Sequence, residues 1–141
     1  MQPEQPAPPP RPAPASGSET ILLAEDEEPI RRAAKRVLER FGYRVLLAKD
    51  GEEAVHLFRA HEAEIALVIT DMVMPKLGGR ALYERLQQEG KRVPFLFSSG
   101  YTAREVREST TLDPSLPFLH KPWTLTELAL RVREVLDGRA P

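Results

Sequence analysis

The chain has 141 residues, enough for one domain with a real core, and its lack of cysteine excludes disulfides and thiolate chemistry. Its 20 basic and 21 acidic residues nearly cancel, so no global field attracts nucleic acid or an anionic membrane. No apolar run approaches the roughly 20 residues a bilayer span needs, and the polar, proline-rich start is no secretory signal; a cytoplasmic protein is expected.

Seven of the 14 prolines fall in MQPEQPAPPPRPAP, residues 1–14. Such a composition favours extended polyproline II and cannot bury a core, so residues 1–18 read as a tail or linker. The P-x-x-P spacing in PPPRP would also suit a proline-reading module. Beyond Ser18, short apolar runs alternate with longer stretches of helical period. TILLA (20–24) opens the series. Ile30, Ala33, Ala34, Val37, Leu38 and Phe41 mark one face of a first helix, with Pro29 suited to its first turn. RVLLA (44–48) is the second strand, and Ala54, Leu57 and Phe58 predict a helix opened by Asp50-Gly51. ALVIT (66–70) is followed by a third helix through Ala81, Leu82, Arg85 and Leu86. PFLFS (94–98) leads to a short polar helix in residues 102–110, and PFLH (117–120) to a fifth helix. Leu125, Leu128, Ala129, Val132 and Leu136 form the apolar face of that last helix, with Thr124 as N-cap. Five strand–helix units in alternation predict a single α/β domain, a parallel sheet covered by helices on both faces.

The polar residues fall at the strand ends. Glu25 and Asp26 follow the first strand, Asp71 closes the third, Ser99 follows the fourth and Lys121 ends the fifth. Singly, each has a plain reading as a helix-start acid, a turn hydroxyl or a surface lysine. In an open parallel sheet, however, all strand C-termini meet at one edge, where ligands bind. Two carboxylates about 4 Å apart repel by roughly 4 kcal/mol at an effective dielectric of 20. Three of them against one lysine remain net negative, and an all-oxygen site of this kind suits Mg²⁺. His56, His61 and His120 are too scattered for zinc. Aspartate in such company can act as a nucleophile towards phosphorus. Asp71 is expected at the exposed C-terminal end of a buried central strand.

The acidic pair in ILLAEDEEP (21–29), ITDMVMPKLGG (69–79), PFLFSSGYT (94–102) and LHKPW (119–123) together resemble a response-regulator receiver domain of two-component signalling. The resemblance implies a flavodoxin-like, doubly wound (βα)5 sheet of order 2-1-3-4-5, with residues 19–138 as the receiver domain. It makes Asp71 the phosphoacceptor and Lys121 and Ser99 its partners on the phosphoryl group. Mg²⁺ would be held by Glu25, Asp26, Asp71 and the backbone carbonyl of Val73. Ser99 and Phe118 would form the switch, and Lys121-Pro122 a cis peptide. Trp123 stands where phenylalanine is commoner in the family, and Phe118 has no tyrosine hydroxyl, so it would switch by packing alone. No separate organic cofactor is implied. The phosphoryl donor would be a histidine kinase or histidine phosphotransfer domain, and a downstream protein or second copy would read the face formed by the fourth helix, fifth strand and fifth helix.

SGYT and the LDPSLPFL stretch (112–119) look most like receivers attached to hybrid sensor histidine kinases; a free-standing regulator without an output domain is the other possibility. Enzymatic turnover is not expected beyond self-phosphorylation from a phosphohistidine donor and slow autodephosphorylation, since neither Val73 nor Tyr101 can activate water. Two other classes remain open. A Mg²⁺-dependent phosphatase with an aspartyl nucleophile usually needs a second acid where Val73 stands, and an unphosphorylated docking module would have no use for the complete acid, hydroxyl and lysine set.

Overall fold

The structure, a computed structural model, describes residues 17–100 and 116–138. Five strands and four helices follow in the order β1 (Thr20–Ala24), α1 (Glu28–Arg40), β2 (Arg44–Ala48), α2 (Gly51–Ala60), β3 (Ile65–Asp71), α3 (Gly79–Gln88), β4 (Phe95–Ser99), β5 (Phe118–His120) and α4 (Leu125–Leu136). The predicted helix in residues 102–110 lies outside the described residues, as do residues 1–16 of the tail predicted over residues 1–18. All strand pairs are parallel and the sheet order is β2-β1-β3-β4-β5.

The order follows from burial. β1, β3 and β4 are buried almost throughout, as strands covered on both faces must be, whereas β2 is partly exposed and β5 spans three residues at the opposite edge. Side chains alternate across the sheet into two cores. Ile21, Leu23, Leu67, Ile69, Leu96 and Leu119 face α1 and α4, packing on Leu38, Leu128 and Val132. Leu22, Val68, Phe95 and Phe97 face the other way, towards Val55, Phe58, Leu82 and Leu86.

Local chemistry sets the helix ends. Pro29 lies in the first turn of α1. The Asp50 carboxylate caps α2 by accepting from the Glu53 backbone N–H at 2.8 Å. Thr124 and Glu127 form a reciprocal capping box on α4. In α3, Leu82 and Leu86 are buried as expected, but Ala81 and Arg85 are exposed. The missing packing comes from Tyr83, whose ring meets Phe95 and Phe97 edge-on at 5.1 and 5.6 Å.

β3 and β4 each run one residue beyond the predicted run, which carries Asp71 and Ser99 into the strands. Pro94 and Pro117 have no N–H to give, yet their carbonyls accept from Val68 and Phe97 at 3.0 and 3.1 Å, so each prolines opens a strand without breaking the ladder. Past Asp71 the chain turns sharply and returns to it at Gly79. A Cβ on Gly79 would lie 2.5 Å from the Asp71 carbonyl oxygen, so only glycine lets α3 start against the end of β3.

Candidate phosphoacceptor site

The C-terminal edge of the sheet assembles the residues the sequence separates. The Glu25 N–H donates to the Ala48 carbonyl at 3.0 Å, continuing the β1–β2 ladder and fixing the acid at the strand end. The Met72 N–H does the same for Asp71, donating to the Ser98 carbonyl at 2.9 Å. The Lys121 N–H donates to the Ser99 carbonyl at 2.7 Å, which brings the lysine stem over the same edge. Lys121-Pro122 is cis.

Carboxylate oxygens of Glu25, Asp26 and Asp71 all lie within 4.8 Å of one another. The Lys121 ammonium stands 2.7 Å from Glu25 Oε1 and 3.2 Å from Asp71 Oδ2, with Glu27 Oε1 further off at 3.8 Å. Lys121, Glu25 and Asp71 are all largely withdrawn from solvent, with side chains 12, 4 and 9% exposed. Asp71 is therefore buried, not exposed as its strand-end position suggested. Val73 sits two residues on and is 64% exposed, and Ser99 is buried at the end of β4. Phe118 is not part of the acidic cluster. It is half-buried, pairs with Phe97 across the sheet and packs on the opposite core.

Two supporting residues were not foreseen from sequence. Arg31, in the first turn of α1, donates from Nη1 to the Glu25 and Asp26 carbonyls at 2.9 and 3.3 Å, clamping the acidic pair's backbone. The Glu27 N–H donates to Glu25 Oε2 at 3.0 Å. The only sequence signal for Arg31 is a cation near a helix N-terminus, where the macrodipole disfavours it unless another contact repays the placement.

Electrostatics follows from this geometry. Burial pushes the Asp71 carboxyl above the ordinary carboxylate range, against the opposing pull of Lys121. Burial raises Glu25 likewise, offset in part by Lys121 and the Glu27 N–H. Burial alone would lower Lys121, but its bonds to Glu25 and Asp71 outweigh that and hold its pKa up. With every group ionised, three carboxylates face one ammonium. Each like-charged pair within this distance costs roughly 3–4 kcal/mol at an effective dielectric of 20.

The sign of the resulting pH dependence is fixed. Acids whose folded pKa exceeds the unfolded value bind more protons folded, so their contribution to stability falls as pH rises from the ordinary carboxylate range through the raised values. Lys121 keeps its contribution throughout that window and loses it as pH rises from the ordinary lysine value through its own raised pKa. A divalent cation competes with the protons, so Mg²⁺ is expected to raise the melting temperature more at about pH 7.5 than at about pH 5. A Mg²⁺ shift independent of pH in differential scanning calorimetry would contradict this account.

The family model described as "Response regulator receiver domain" matches residues 21–133. The chain belongs to the response regulator receiver domain family. It is 36% identical over 122 residues to the Sensor kinase CckA of Brucella abortus, covering 86% of this chain and 13% of that protein. It is 30% identical over 116 residues to the Response regulator receiver protein CpdR of Brucella abortus, covering 82% and 95% respectively. Among solved structures, the response regulator TrrA from Thermotoga maritima, in complex with Mg²⁺-BeF, matches with TM-score 0.73 at 26% identity, covering 83% of this chain and 98% of that one. The chain thus spans a small part of the sensor kinase and about half of several other curated relatives, at 48 and 52% of their lengths. Receiver domains are phosphoacceptor signalling switches of two-component systems, served by histidine kinases or phosphotransfer proteins, and they bind Mg²⁺ at an acidic pocket. The all-oxygen cluster of Glu25, Asp26 and Asp71 is compatible with such an ion. Among the described residues, no helix is long and apolar enough to cross a membrane.

Proposed function

We propose that Asp71 accepts a phosphoryl group from a phosphohistidine on a histidine kinase or phosphotransfer domain in the cytoplasm, with Glu25, Asp26, Asp71 and the Val73 carbonyl holding Mg²⁺. The observation that carries this reading is the convergence of the three acids' oxygens within 4.8 Å, with the Lys121 ammonium 3.2 Å from Asp71. A carboxylate oxygen of Asp71 forms the new P–O bond as the donor's P–N bond breaks, and the leaving imidazole takes up a proton. When bound, Mg²⁺ neutralises charge on the transferring phosphoryl oxygens. Lys121 exchanges part of its contact with Glu25 for a phosphoryl oxygen, and Ser99 donates its hydroxyl to another. Ser99 moving towards the phosphoryl group lets Phe118 repack, which biases a two-state equilibrium on the β5–α4 face that a downstream protein or second copy reads.

The phosphatase alternative is disfavoured by Val73, exposed where a second acid would be needed. The same residue offers nothing to activate a hydrolytic water, so the aspartyl phosphate is expected to persist for minutes or longer. The test is incubation of the chain with acetyl phosphate and Mg²⁺, followed by intact-mass and peptide mapping over time. One added phosphoryl group on the Asp71 peptide, decaying slowly and quickly released by hydroxylamine, is the expected result. Label on another residue, or none at saturating Mg²⁺, would overturn the assignment.

A further inference from the structure

Ser98 is an anomaly in the core. It is 4% exposed, and its Oγ has no protein hydrogen-bond partner, although a buried hydroxyl left unpaired is unfavourable. Its neighbours along the strand's α1 and α4 face are apolar: Leu96 precedes it by two residues, and Leu119 pairs with it from β5. Across the sheet its partner in register is Asp71. Parallel pairing places registered side chains on the same face, so the Ser98 hydroxyl shares a face of the sheet with the acceptor carboxylate.

A narrow cavity of about 10 Å³ is lined by Glu25, Asp71 and Ser98 together with apolar residues that include Leu119, Trp123 and Leu128. That volume admits the centre of one water, and a buried water needs two to four polar partners. Glu25, Asp71 and Ser98 are the residues of its lining with polar side chains able to supply them. A metal ion is excluded on size, because Mg²⁺ retains several waters of its own. Asp26 and Val73, the other proposed metal ligands, do not line the cavity.

We infer that Ser98 anchors a single buried water bridging its hydroxyl to the carboxylates of Asp71 and Glu25, and that through it Ser98 is a positioning residue for the acceptor. The inference rests on the reading of Asp71 as phosphoacceptor and metal ligand. The water satisfies the orphan hydroxyl, restores part of the solvation the carboxylates lose on burial, and fixes the Asp71 rotamer from the core side while Lys121 engages Oδ2. The site's oxygens are thereby preset for Mg²⁺.

The test pairs a high-resolution crystal structure of the full chain without metal with calorimetric Mg²⁺ titration of wild type, Ser98→Ala and Ser98→Thr. Density for one water within hydrogen-bond reach of Ser98 Oγ and a carboxylate oxygen is expected. Ser98→Ala should bind Mg²⁺ about fivefold more weakly, the worth of one neutral hydrogen bond. Ser98→Thr keeps the hydroxyl and suits a strand, so it should recover affinity to within about twofold. A dry cavity, an unchanged affinity in Ser98→Ala, or a loss that Ser98→Thr fails to rescue would each overturn the inference. Failure of the wild type itself to bind Mg²⁺ would instead strike the reading of the site, and the crystallographic water would then stand or fall separately.

Discussion

Asp71→Asn is expected to abolish phosphoryl incorporation from acetyl phosphate while leaving the metal-free fold at least as stable as the wild type. An amide oxygen is a poor nucleophile towards phosphorus, so labelling should fall below about one hundredth of the wild-type level. The stability side follows from the same geometry. Burial raises the Asp71 pKa despite the lysine beside it, so the ionised carboxylate near neutral pH carries a desolvation cost that its partners do not fully offset. Asparagine keeps the shape, removes the charge and leaves Lys121 with its closer contact to Glu25 at 2.7 Å. Mass spectrometry after acetyl phosphate treatment reads the first effect, and urea denaturation in EDTA reads the second. Undiminished labelling of the variant would remove Asp71 from the role. A large loss of metal-free stability would show that its charge is compensated better than its burial implies.

Much of this could be read from residue order, because the sheet edge is a topological consequence. Once TILLA, RVLLA, ALVIT, PFLFS and PFLH alternate with helical stretches, parallel pairing must bring Glu25, Asp26, Asp71, Ser99 and Lys121 to one rim. The caps at Asp50 and Thr124 are equally local signals, set by a side chain and the backbone three residues on. What escaped depends on three-dimensional closure. Asp71 looked exposed because a strand end usually is, but Lys121 and the acids that end β1 crowd round its carboxylate. Tyr83 was missed because α3 buries a ring against β4 from a position flanking its main apolar face. Arg31 and Ser98 carry no periodic signal: one is a helix-start cation and the other a second serine in a strand. Only the register of Asp71 with Ser98 and the reach of Arg31 to two carbonyls give them meaning.

The opposite change at the same site should have the opposite effect on stability. Lys121→Met keeps the apolar stem but leaves the Glu25 and Asp71 carboxylates, 4 and 9% exposed, without their cation. Breaking a buried ion pair by removing one partner costs about 3–5 kcal/mol, chiefly because the remaining charge is stranded. Here two acids are stranded, although proton uptake by either limits the loss. The variant is therefore expected to lose about 3 kcal/mol in EDTA near neutral pH, at the lower end of that range. Its stability should recover as pH falls, since protonation relieves both carboxylates. Mg²⁺ should also return part of the loss, because the ion takes over the balancing charge. Adding Asp71→Asn to Lys121→Met removes one of the stranded charges, so the double variant should be more stable than Lys121→Met alone. Urea denaturation of the four proteins in EDTA completes the double-mutant cycle. Strict additivity would mean that Lys121 and Asp71 do not interact across their 3.2 Å contact, and that the cluster's charge is carried by Glu25 alone.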